Sequence, residues 1–153
     1  MHPVLMENLD IFVRLGSAIL LGGLIGLERE IHGKEAGFRT YALVGLGSAV
    51  LMVISTQIFE AYKTVAQVDP SRIAAQVVSG IGFLGAGAIM RSPLGGNEGV
   101  KGLTTAAGIW AASGIGLACG LAFYSLAITT TALAMIVLIV FSKIDRWFGG
   151  RDH

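Results

Sequence analysis

Residues 80–85 read Gly-Ile-Gly-Phe-Leu-Gly, a G-x-G-x-x-G string of the kind that cradles a dinucleotide pyrophosphate. That chemistry needs a strand before the glycines, a helix after them and an acid about 20 residues further on. The string instead lies inside an apolar run from Ile73 to Met90. Glu98, the acid near the right distance, sits in a glycine-rich loop. No dinucleotide is expected to bind. The glycines suit close contact between membrane helices, where small residues let backbones approach.

Other reactive constellations are as sparse. Cys119 is the single cysteine, which excludes an intramolecular disulfide or a cysteine-based zinc site. His2, His32 and His153 are scattered without ligand spacing. The sequence has no Ser/His/Asp set, no Cys/His pair and no His-Glu-x-x-His. Glu28 and Glu30 are close on a helix but on different faces, a poor acid/base pair. A dedicated Mg²⁺ site would want clustered carboxylates or carbonyls. The reading is therefore no enzyme, no metal site and no cofactor.

Two groups of polar residues remain. Arg72, Gln76 and Ser79 fall about one helical turn apart. They either lock helices together by hydrogen bonds or line a polar notch that binds or passes a solute. The second group gathers where apolar segments end or begin: Glu28, Arg29 and Glu30, then Arg39 and Thr40, then Arg91, then Lys101, Thr104 and Thr105. One reading is a solvated basic rim with local salt bridges, Glu28 neutralising Arg39. The other is that helix N-terminal N–H groups beside Arg39 and Lys101 hold an anion or a partner's carboxylate.

These residues must be positioned by membrane helices. The chain has 153 residues, 54% hydrophobic and 14% charged, against roughly 25% charged in soluble domains. Its mean hydropathy is +0.72. The net charge of +1 implies neither nucleic acid nor an acidic substrate. We read an all-α integral membrane protein in the lipid bilayer, a single domain over 1–153. Its compact bundle has about five spans, at 11–27, 38–59, 73–90, 103–121 and 123–141. The last two are divided by a turn near 120–125, because a single helix of that length would be about twice the bilayer core. The N-terminal flank carries Glu7 and Asp10 without Lys or Arg, so it is not read as a signal peptide.

Lys and Arg in short loops favour the cytoplasmic side. Arg29, Lys34, Arg39, Arg91, Lys101, Lys143, Arg146 and Arg151 share one side, while Lys63 and Arg72 lie on the other. The N-terminus is thus expected outside and the C-terminus in the cytoplasm. Arg14 snorkels outward or pairs with Asp10. Asp69-Pro70-Ser71-Arg72 reads as a helix start, and Lys143, Arg146 and Trp147 as an interfacial anchor.

Small residues recur at helical spacing. Span 1 has Ala18, Gly22 and Gly26; span 4 has Thr104, Gly108, Ala112, Gly116 and Gly120. Span 3 has Ala75, Ser79, Gly82 and Ala86, with Gly80, Gly85 and Gly87 beside them. Spans 1, 3 and 4 are expected at the centre, span 5 toward lipid, and Trp110 in packing. Faces left over would build a homodimer or meet another membrane protein.

The segments GGLIGLERE (22–30), AGFRTYALVGLGSA (36–49), DPSRIAAQVVSGIGFLGAG (69–87) and GLTTAAGIWAASGIGLACG (102–120) resemble the MgtC/SapB family of bacterial inner-membrane proteins. The resemblance implies about five spans, a cytoplasmic C-terminus and a link to adaptation to low magnesium. In pathogens it implies a link to survival inside macrophages. Family members are regarded as regulators and not as Mg²⁺ transporters, the best-known acting on the F-type ATP synthase. Many carry a soluble ACT-like domain after the last span. This sequence stops at His153, which leaves functions of that domain open. The expected function is a non-enzymatic regulator that works by helix contact with a membrane partner. The alternative is a transporter or channel using the Arg72/Gln76 notch.

Overall fold

The computed structural model describes residues 3–91 and 100–144; His2, Glu98, Arg146, Trp147, Arg151 and His153 lie outside the described residues. The helices are α1 (Pro3–Ile31), α2 (Phe38–Tyr62), α3 (Ser71–Gly87), α4 (Leu103–Gly120) and α5 (Tyr124–Ile136), the last continued by a π-helical turn, Val137–Phe141. Between α3 and α4, β1 (Met90–Arg91) pairs antiparallel with β2 (Val100–Lys101).

Among the described residues, four stretches are long and apolar enough to cross a membrane: Asn8–Ile31, Phe38–Tyr62, Leu103–Gly120 and Tyr124–Ile144. α3 is not among them. Its 17 residues rise roughly 25 Å, a little less than a bilayer core of about 30 Å. Its two ends are nevertheless tied to opposite ends of the bundle. The Ser55 hydroxyl, toward the end of α2, donates to the Pro70 carbonyl at 2.7 Å. At the far end, Gly102 (φ 87°) carries the chain against the Ala88 carbonyl, where a side chain would not fit.

The start of α3 has a local cause. The Asp69 carboxylate accepts the Ser71 N–H at 2.9 Å and the Ser71 hydroxyl at 2.6 Å. These bonds, the hydroxyl's first, hold the Asp69 carboxyl below its ordinary range.

Small residues bring α1, α2 and α4 together. A side chain on Gly22 would stand 2.7 Å from the Tyr41 carbonyl, and one on Gly45 2.7 Å from that of Ala18. Gly26 lies equally close to the backbone of Gly37 and Phe38. On α4, Gly108 faces the Tyr41 ring, Gly116 the Gly45 carbonyl, and Gly120 the Ala49 carbonyl, while Ala112 is fully buried. Tyr41 is itself completely buried and donates its hydroxyl to the Thr105 carbonyl at 3.2 Å.

The centre is therefore α1, α2 and α4, where the sequence pattern predicted spans 1, 3 and 4. The physical reason is that α2 contributes Gly45, Ser48 and Ala49 to the closest backbone approaches. By contrast, α3 packs through one narrow side, Val77, Ile81 and Gly85, and presses none of its glycines against a neighbouring backbone. Nothing lies within 4 Å of where a side chain on Gly80, Gly82 or Gly87 would stand, and Gly85 only reaches Ala106 at 3.8 Å. The Ala75, Ser79, Gly82 and Ala86 stripe faces outward. Trp110 also differs from the expectation of packing: it is 57% exposed. α5 buries only Ala127 and Thr131 and turns its Leu and Ile side chains outward. Arg14 pairs with Asp10 at 2.7 Å and also donates to the Gly120 carbonyl at 2.8 Å.

Candidate functional site

Polar chemistry gathers where α1 ends and α4 begins. α1 stops at a Schellman turn: the Gly33 N–H donates to the Glu30 carbonyl at 3.0 Å and the Lys34 N–H to the Arg29 carbonyl at 3.0 Å. Gly33, at φ 63°, takes the left-handed position that this turn requires. The turn folds Lys34 back over the last residues of the helix.

Glu28 and Arg29 form a buried ion pair, with Arg29 Nη2 donating to Glu28 Oε1 at 2.8 Å and Nε to Oε2 at 2.5 Å. Their side chains are 5% and 4% exposed. His32 Nδ1 lies 3.1 Å from the same Glu28 carboxylate. The expected pairing of Glu28 with Arg39 is thus replaced: Arg29 is buried beside Glu28, and Arg39 is exposed. Burying one partner without the other would leave an uncompensated charge, so the two are buried together.

Glu30, on the exposed side of α1, accepts the Phe38 N–H at 2.8 Å and so fills the N-terminus of α2. The anion expected there is this chain's own carboxylate. Thr105 is buried, with its hydroxyl 3.5 Å from Glu35. Thr104 is exposed and lines a cavity of about 610 Å³ with Arg29, His32 and Lys34 on one side and Leu138 and Phe141 on the other. Lys101 lies in β2 and does not line that cavity.

A second cleft, about 670 Å³, runs between α2 and α3. Arg72 and Gln76 line it together with Thr40, Ser48 and Gly80, and most of its remaining wall is Leu, Val and Ile. Ser79 faces away from it. Two of the three residues expected in one notch are thus brought together. Among the described residues, no group of three or more His, Cys, Asp or Glu is placed to hold a metal ion.

Comparison with known proteins decides the family. The MgtC family model matches residues 15–147. The chain is 44% identical over 137 residues to the putative magnesium transporter YhiD of Escherichia coli K12, covering 88% of this chain and 62% of that protein. It is 41% identical to protein SapB of Bacillus subtilis, covering 83% and 54%. It is 44% identical to protein MgtC of Salmonella typhimurium, covering 84% and 51%. The chain belongs to the MgtC family. With four helices among the described residues long and apolar enough to cross a membrane, it is a multi-pass inner-membrane protein. This MgtC-family chain spans a little over half the length of these relatives. No solved structure matches it.

In this MgtC-family chain, sequence reasoning missed His32, Lys34 and Glu35 as neighbours of Arg29 and the α4 start. The signal was Gly33, placed just past an apolar helix ending in charged residues, where a helix-ending glycine belongs. Gly45, the contact point on α2 for both α1 and α4, was missed as well. The signal was in the sequence: Gly45 stands four residues before Ala49, beside Gly47 and Ser48, the same small-residue spacing that marks α1 and α4.

Proposed function

We propose that this chain is a non-enzymatic membrane regulator linked to magnesium homeostasis, acting through helix contacts with another membrane protein. The outward face of α3 carries the reading. Ala75, Ser79, Gly82 and Ala86 form an exposed stripe, and Phe83 beside it is 83% exposed. The neighbouring α4 adds an exposed Trp110 and the open Gly114. Lipid gives an apolar face no reason to associate, but small residues flanking a hydroxyl let a second helix approach closely.

The magnesium link rests on a relative's name, putative magnesium transporter, and on the family resemblance. The F-type ATP synthase is the partner that resemblance suggests. We infer five crossings with the N-terminus outside and the C-terminus in the cytoplasm, because Arg29, Lys34, Arg39, Lys101 and Lys143 then share the cytoplasmic side. Crosslinking in membranes followed by purification should recover a second membrane protein. Gly82→Leu should lose it while the bundle stays folded, since a side chain there meets no neighbour. Recovery of this chain alone under all conditions would contradict the proposal.

A second reading is favoured by one observation, the joint placement of Arg72 and Gln76 in the α2–α3 cleft. It makes the chain a transporter or channel for an ion or small solute. Mg²⁺ movement into liposomes bearing only this protein would support that reading, and its absence with folded protein would count against it.

A further inference from the structure

We infer that the cavity bounded by Arg29, His32, Lys34 and Thr104 is a binding site for a phosphate group, carried by an anionic lipid headgroup or free in solution. Its polar wall is built by two helix ends and a turn. Arg29 is held rigid by the buried Glu28, which takes up two of its five N–H donors. Lys34 is brought alongside by the turn at Gly33, and its side chain makes no ion pair or hydrogen bond among the described residues. The Thr104 hydroxyl has no protein partner among those residues either, and it stands in the first turn of α4, whose N-cap Gly102 offers no side chain to its N–H groups. These donors converge on one cavity, so the site does not rest on the helix terminus alone.

The charge balance favours an anion. Glu28 neutralises Arg29, and Glu30 is taken by the N-terminus of α2. Glu35 lies toward Thr105 and does not line the cavity. Arg29, His32 and Lys34 are the ionisable groups that line the cavity, and among the described residues no carboxylate lines it. The opposite wall is mostly apolar: Val137, Leu138 and Phe141 come from the π-helical turn that ends the outward-facing α5. Ser142, whose hydroxyl donates to the Ile139 carbonyl, closes it. A cationic wall facing an apolar one, at the level where helices end, matches a molecule with a phosphate head and acyl chains. Basic pockets between membrane helices bind such headgroups. A volume of about 610 Å³ accommodates one.

The test uses the whole chain purified in neutral detergent and in nanodiscs. Thermal stability is measured with inorganic phosphate in detergent, and in nanodiscs of phosphatidylglycerol or phosphatidylcholine. Stabilisation by phosphatidylglycerol alone identifies a headgroup site, and stabilisation by inorganic phosphate identifies a site for the free ion. Lys34→Gln, on the exposed side of the turn, should weaken either by roughly five-fold, and Thr104→Val should weaken it further. Lys63→Gln, at the other end of the bundle, should change nothing. No stabilisation by either phosphate source would overturn the inference. So would equal stabilisation of the wild type and Lys34→Gln, or native mass spectra in which phosphatidylglycerol is retained no better than phosphatidylcholine.

Discussion

The ring of Tyr41 occupies the space that a side chain on Gly108 would need, and its hydroxyl continues to the Thr105 carbonyl. One buried phenol thus joins α2 to α4 by shape and by a hydrogen bond. The same helices meet again at Gly116, where the Gly45 carbonyl and Ser48 close the gap, and Ser48 donates to Ser113 at 3.2 Å.

Filling that seam should be costly. Gly116→Ala would drive a methyl group into the Gly45 backbone and is expected to destabilise the bundle by about 1–3 kcal/mol. Gly114→Ala, two residues away but facing open space, should stay within about 0.5 kcal/mol of wild type. Unfolding in mixed micelles measures both.

Which glycines belong to such seams was only half legible in the sequence. Four-residue spacing marks Gly22 and Gly26 on α1 and Gly108, Gly116 and Gly120 on α4. Helical spacing of four, three and four residues on α3 marks Ala75, Ser79, Gly82 and Ala86, which point outward. Periodicity identifies a face that permits close approach, but it does not say whether the approaching helix belongs to the same chain. The limits of α2 and α4 were clearer, because hydropathy and length constrain them strongly. α1, however, runs from Pro3 to Ile31, past the expected 11–27 at both ends, because its polar ends continue the helix beyond the apolar stretch. The cavity at Lys34 depends on a three-dimensional turn and left only Gly33 as its trace.

The two Schellman turns make an opposed pair of predictions. Gly33 (φ 63°) ends α1, and Ala122 (φ 59°) holds the equivalent position after α4, where the Phe123 N–H donates to the Ala118 carbonyl. An alanine in the left-handed region costs about 1–2 kcal/mol. Ala122→Gly should therefore stabilise the protein by about 1 kcal/mol, and Gly33→Ala should destabilise it by about the same amount, read from the same unfolding curves.

The Glu28–Arg29 pair should behave as a unit. Glu28→Gln leaves a buried guanidinium without its counter-charge and is expected to cost about 3 kcal/mol. Combining it with Arg29→Met should cost less than the sum of the single changes. A double-mutant cycle on stability reads the difference.

Asp69 gives a pH dependence of known sign. Its carboxyl is lowered in the folded protein by the Ser71 hydroxyl and N–H. Its contribution is therefore fully present above the ordinary carboxylate range and is lost as pH falls through the lowered value. The stability gap between wild type and Asp69→Ala should close on acidification, as followed by thermal melts over that range.

The central claim is that the exposed face of α3 meets another membrane protein. A photo-crosslinking amino acid at position 83, where Phe83 projects from that face, tests it most directly in intact cells. The account predicts an adduct with a second, different membrane protein that disappears when Gly82→Leu is added. Adducts with lipid alone, or with another copy of this chain alone, would contradict it.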